Sequence, residues 1–155
     1  MSKQRIPHNT VLPAGYKAML ALSAVVDAAS VGKPLIDLLF LRVSQVNACA
    51  YCIDMHARDL LAHGESWQRI NSLVAWRETT FYSERERAAL AWAEAVTAIA
   101  ETQAPDELYE ALKTHFSELE ITELTYAVAL MNAWNRLGVG FRMTVPRAEL
   151  ANAVR

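Results

Sequence analysis

Cysteine is nearly absent. The 155 residues hold two, Cys49 and Cys52, three positions apart. One close pair is no disulfide framework of the kind that staples small secreted domains. Five glycines and five prolines leave little turn chemistry, and nowhere is there the sustained apolar–polar alternation of a half-buried strand. Neither sign of charge dominates: 15 Lys+Arg stand against 17 Asp+Glu, a net −2 at pH 7. That excludes the basic footprint of a nucleic-acid binder. No apolar run reaches the roughly 18 residues needed to span a bilayer; Glu94 interrupts the longest candidate, 88–100. GxGxxG, a P-loop and GxSxG do not occur, so a Rossmann cofactor, a phosphate cradle and a serine hydrolase lack support. No internal repeat or low-complexity tract is visible.

What remains is helix-forming material. Hydrophobic residues make up 53 %, which excludes a disordered chain, and the length suits one domain, 1–155, with a substantial core. Lys3 and Arg5 ahead of the apolar run 18–26 mimic a signal peptide. The polar lead-in is long, holds two prolines and is followed by no small-x-small cleavage site, so a cytoplasmic protein is expected. Residues 1–13 read as an extended arm. Helices are expected over 16–29, from Pro34 at a first helical position to a break at 45–47, and from Cys49 to Gly64. A short helix follows at 66–73, a connector at 76–81, and helices at 84–100, from Pro105 to about His115, and at 121–137. Ser83-Glu-Arg-Glu86 and Ser117-Glu-Leu-Glu120 are capping boxes. Gly138 is expected to stop the last helix, and Pro146 opens a tail, 146–155.

The chemistry-bearing stretch is Asn47-Ala-Cys-Ala-Tyr-Cys-Ile-Asp-Met-His56. On a helix, Cys49, Cys52 and His56 fall within an arc of roughly 60°. Two thiols one turn apart close a disulfide when the first sits at the helix start. The imidazole lies within reach of Cys52 as a proton acceptor. Asn47 is a preferred N-cap, so the break is placed there and Cys49 in the first turn of the new helix. Folding the two helices back around residue 47 sets Asp37 opposite about Ala57, one residue from His56. In one continuous helix Asp37 and His56 would be about 28 Å apart. A carboxylate–histidine–thiol relay therefore requires the hairpin.

Two cues compete over which thiol attacks. The helix N-terminus favours Cys49 as the more acidic; the nearby base favours Cys52, and we weigh the base more. A Cys52 thiolate attacking a peroxide would give a sulfenic acid that condenses with Cys49 to a disulfide, after which an external reductant is needed. No bound cofactor is required. The alternatives are two buried small hydrophobes, a zinc site at Cys49, Cys52 and His56 lacking a second ligand pair, and a non-enzymatic redox-sensing or interaction module. Asp37 reads equally as an orienter of His56 or as a partner of Lys33 at i,i−4, with Asp59 a rival partner for the histidine. The four tryptophans read as core or subunit interface, Arg42 as an ion-pair or interface residue, and His8, His63 and His115 as surface.

The stretch LRVSQVNACAYCIDMHARDLLAHGE, together with AWRETTFYSERERAALAWAEAVT (75–97) and MNAWNRLGVGFR (131–142), resembles the alkylhydroperoxidase D-like (AhpD-like) branch of the carboxymuconolactone decarboxylase superfamily. The resemblance implies an all-α fold and a homo-oligomer, trimer or hexamer. It implies a thiol peroxidase acting on hydroperoxides without haem or metal, recharged by a thiol or dithiol reductant such as a lipoyl or thioredoxin-like protein. In that scheme Cys52 is peroxidatic, Cys49 resolving and His56 the proton relay. Asp37 occupies the position of the family's glutamate, one C–C bond shorter, and Tyr51 stands where a second histidine lies in well-studied members.

Overall fold

Every regular element among the described residues, 3–146 of this computed structural model, is helical. The centre is a helix, α3, at Lys33–Val46. Residues 35–41 are buried on all sides, including the carboxylate of Asp37. An all-round apolar helix of this kind must be covered on every face. The covers are α4 (Ala50–Ala62), α6 (Glu84–Thr97) and α9 (Glu118–Gly140). Leu38, Leu39, Leu90, Leu124 and Val128 meet at the middle with essentially no exposed surface. A first long helix, Pro13–Asp27, lies across α9 and α3. None of the helices is long and apolar enough to cross a membrane, among the described residues.

Ends are fixed by local chemistry. Ser83 and Ser117 each accept a hydrogen bond from the N3 amide, while Glu86 and Glu120 reach back to the N-cap amide. Both expected capping boxes are therefore formed, each satisfying two otherwise orphaned donors. Glu94, the residue that interrupts the longest apolar run, accepts from Arg42 Nε at 2.6 Å and from Trp76 Nε1 at 2.8 Å, and pairs with Arg77. It ties α3, α6 and the 3-10 turn Leu73–Glu78 together, and Arg42 is the ion-pair residue expected.

Several expectations are corrected. The arm at 1–13 is not wholly extended: His8–Val11 forms one helical turn, and Pro13 opens the next helix three residues early. The connector at 76–81 is partly taken up by the 3-10 turn. The helix expected to reach 100 stops at Thr97 and restarts at Ile99–Thr102, and Pro105 is the N-cap of Asp106–Lys113 rather than its first residue. The last helix passes Gly138 and ends at Gly140. The tail expected from Pro146 lies outside the described residues beyond Pro146 itself.

Candidate active site

The turn between α3 and α4 sets the site. Asn47 is the C-cap of α3, not the N-cap of α4. Ala48 follows in the left-handed region at φ 53°. Its amide donates to Gln45 O at 3.2 Å, and the Cys49 amide donates to Ser44 O at 3.0 Å. This is the paired 5→2 and 6→1 closure of a Schellman turn, made with alanine where glycine is usual, at a cost of about 1 kcal/mol. The side chain of Asn47 is used elsewhere. Its Nδ2 donates to Asn132 Oδ1 at 3.0 Å and Asn135 Oδ1 at 2.9 Å on α9. Asn135 Nδ2 in turn donates to Ser44 Oγ at 3.1 Å. A partly buried, hydrogen-bonded amide network thus clamps the turn to α9, and that demand removes the Asn47 side chain from capping the N-terminus of α4.

With Asn47 so occupied, Cys49 becomes the N-cap of α4 in extended backbone conformation, and Cys52 is its third residue. They are joined as a disulfide with Cα atoms 5.4 Å apart. Both are buried. Cys52 lines a cavity of about 330 Å³; Cys49 is not in its wall. Cys49 packs against the backbone of α9 at Gly138, where an added Cβ would stand 3.0 Å from Cys49 Sγ and 3.5 Å from Cys52 Sγ. Gly138 is therefore an opening for sulfur rather than a helix stop.

That contact gives a direct expectation. Gly138→Ala overpacks the disulfide, whereas a reduced Cys49 thiol can rotate away. The oxidised form should lose about 1–3 kcal/mol, raising the CxxC reduction potential by roughly 20–60 mV. Equilibration against glutathione or dithiothreitol couples checks it; an unchanged potential would mean that the glycine is not needed for the sulfurs.

His56 is buried on the same face of α4, tilted against Phe40 at 5.2 Å between centroids. Neither ring nitrogen has a hydrogen-bond partner among the described residues. Asp59 Oδ2 lies 3.8 Å from His56 Nδ1, too far for a hydrogen bond. Burial, with a smaller contribution from the Lys33 charge, pushes the imidazole pKa down to about 4, so it is neutral near pH 7. This holds with the sulfurs paired; a thiolate beside the ring would favour the imidazolium.

Asp37 lies on the same cavity wall. The hairpin brings it across from α4, but its carboxylate does not bond His56. Oδ1 accepts from Lys33 Nζ, which also stands 3.7 Å from Asp27. Oδ2 faces Nδ1 of His63 at 3.5 Å; His63 is exposed, as expected, but it has this carboxylate as a neighbour. No cluster of three or more His, Cys, Asp or Glu side chains fit to hold a metal occurs among the described residues.

Several wall residues were not anticipated. His8 stacks on Phe141 at 5.1 Å, with both nitrogens buried and unpartnered; with Tyr16, Trp134 and Met143 it completes the cavity. Trp134 donates to Ser23 Oγ at 3.2 Å, Trp76 and Trp92 are core, and Trp67 is exposed. The stretch 131–142 held the signal for Asn132, Asn135 and Gly138; nothing in the sequence marked His8.

An all-helical fold with a CxxC pair at the start of α4, one helical turn before a buried histidine, defines an AhpD-like protein. Residues 13–95 match the carboxymuconolactone decarboxylase family, and the chain belongs to it. It is 38 % identical over 136 residues to the uncharacterized protein YdfG of Bacillus subtilis (strain 168), covering 88 % of this chain and 92 % of that one. A solved structure from Agrobacterium tumefaciens, of a protein of unknown function suggested to be the antioxidant defence protein AhpD, is 44 % identical. It covers 94 % of this chain and all of its own, with a TM-score of 0.92. The debrominase Bmp8 shares the fold at 22 % identity and a TM-score of 0.77, covering 86 % of this chain and 72 % of its own. One fold thus carries more than one chemistry, and function has to be argued from the site.

Proposed function

We propose that the chain is a cysteine-based peroxidase that reduces hydroperoxides through a Cys49–Cys52 disulfide cycle. The observation that carries the reading is the division of labour around the disulfide. Cys52 lines a cavity with His56, while Cys49 is absent from its wall and is the nearer of the two sulfurs to Gly138. A substrate in the cavity meets the sulfur of Cys52, with the imidazole of His56 one helical turn on from it. In the reduced protein, His56 takes the Cys52 proton and the thiolate attacks the terminal peroxide oxygen. The O–O bond breaks, Cys52 becomes a sulfenic acid, and the departing alkoxide takes the proton from His56 and leaves as alcohol. Cys49 then attacks the sulfenic sulfur; water leaves and the disulfide forms. An external dithiol restores both thiols by exchange. The N-cap location of Cys49 and the nearby amides of the first turn favour thiolate at either sulfur. Asp37 is assigned as a proton sink reached through solvent, since its direct partner is Lys33.

The proposal includes a homo-oligomer. Trp67, Val74, Leu119 and Tyr126 are exposed large apolar residues, in keeping with faces covered by further copies.

The test is thiol titration of the reduced protein before and after one equivalent of an organic hydroperoxide, with mass spectrometry of the tryptic peptide Val43–Arg58, which contains both cysteines. Loss of both thiols, with a mass decrease of two hydrogens in that peptide, is expected. Unreacted thiols and an unchanged mass would sink the reading.

A further inference from the structure

The cavity beside Cys52 also has a charge pattern. Its volume, about 330 Å³, is at the scale of small-molecule sites. Tyr16, Phe40, Met55, Met131, Trp134 and Met143 supply rings and thioethers to the wall, which fit an apolar body and adapt to its shape. The charged groups of the lining are three carboxylates, Asp27, Asp37 and Asp59, against one ammonium, Lys33. Lys33 is already engaged by Asp37 and Asp27. Asp59 faces only the His56 ring, at 3.8 Å. An entering carboxylate would shed water and meet surplus negative charge; a neutral molecule would not. The buried polar atoms of the wall left without a hydrogen bond, among the described residues, are the ring nitrogens of His8 and His56 and Asp37 Oδ2, the last adding to the negative side. A neutral imidazole offers one donor and one acceptor, the complement of a hydroxyl or hydroperoxy group.

We infer that this cavity binds neutral, apolar-bodied hydroperoxides and their alcohol products, and rejects carboxylated ones. The hydroperoxide half of this inference rests on the peroxidase reading; the selection by charge does not. His8 is the specificity residue at the wall contributed by the N-terminal segment, and Asp27 and Asp59 supply the rejection.

The test is calorimetric titration of the full chain in its disulfide form with 2-phenylpropan-2-ol and with its 4-carboxylate. The pair differs mainly by the carboxylate. The neutral alcohol should bind at least about tenfold more tightly. Asp27→Asn combined with Asp59→Asn, both half-exposed positions, should remove most of that gap. His8→Phe, which keeps a ring on Phe141, should weaken the neutral alcohol by about two- to tenfold. Equal or tighter binding of the carboxylate, a gap unchanged in the double variant, or no saturable binding of either alcohol would each overturn the inference. Turnover of the two matching hydroperoxides separates the two readings. Discrimination between the alcohols without consumption of either hydroperoxide would remove the peroxidase and leave the binding site. Consumption of both at equal kcat/KM, with equal alcohol binding, would do the reverse.

Discussion

Cys52→Ser is expected to abolish hydroperoxide consumption, with a loss of about a thousandfold or more, as when an attacking nucleophile is removed. Cys49→Ser should differ in kind. That variant keeps the sulfur that faces the cavity and His56, so it should react once per chain and stop at the sulfenic acid, for lack of a partner to condense with. A dimedone-type probe would label Cys52 in the Cys49→Ser protein after one equivalent of hydroperoxide, and label nothing in Cys52→Ser. The expectation follows from access. A hydroperoxide held in the cavity reaches Cys52, whereas Cys49 is not in the cavity wall and is packed closely against α9 at Gly138. The opposite pattern, with Cys49 labelled in Cys52→Ser and Cys52 inert in Cys49→Ser, would reverse the roles and point to the helix dipole as the dominant activator.

Much of this arrangement was legible in the sequence because it is local. The capping boxes at Ser83 and Ser117 need only four residues each, and both formed. The i,i+3,i+4 spacing of Cys49, Cys52 and His56 places them on one helical face whatever the rest of the chain does. The hairpin followed from a single break, and Asp37 did come across to the same cavity. What was illegible depends on partners far away in sequence. Asn47 has the local propensity of an N-cap, but Asn132 and Asn135, some 85 residues on, claim its side chain. Gly138 has the look of a stop signal, and only the sulfurs packed against it reveal its use. His8 belongs to a segment whose polarity and prolines argue for an arm; its place over Phe141 follows from Arg5, which bonds the backbone of Phe141 and Gly140. The Asp37–His56 hydrogen bond that a relay invites is replaced by Lys33, which at i−4 is always within reach.

In the disulfide form, stability should fall by up to roughly 3 kcal/mol as pH drops from about 6.5 to about 4, and His56→Gln should flatten that fall. The folded imidazole has its pKa pushed to about 4 by burial, with Lys33 adding to the shift; unfolded, it titrates near 6.5. Between those values the unfolded chain holds a proton that the folded chain does not. Acid therefore favours unfolding across that window, and the contribution is fully present only above it. Glu86 and Glu94 also lose stabilising interactions in acid. Burial works against ionisation in both, but hydrogen bonds from Arg69 and Ser83 to Glu86, and from Trp76, Arg77 and Arg42 to Glu94, outweigh it and hold their pKa values below the ordinary glutamate value, so their losses come at lower pH. Urea unfolding of both proteins from pH 7.5 to 4 isolates the histidine as the difference between the two curves, even if His56→Gln is less stable throughout. Parallel curves would mean that the folded imidazole titrates as it does in water and is not the desolvated base the thiol chemistry requires. Reduction supplies the companion measurement. Once Cys52 is free to ionise, its negative charge should raise the imidazole pKa, and the acid-induced loss in the reduced protein should become shallower than in the disulfide form. Thiol and imidazole would then share one proton in the ground state, the condition for handing it to a departing alkoxide.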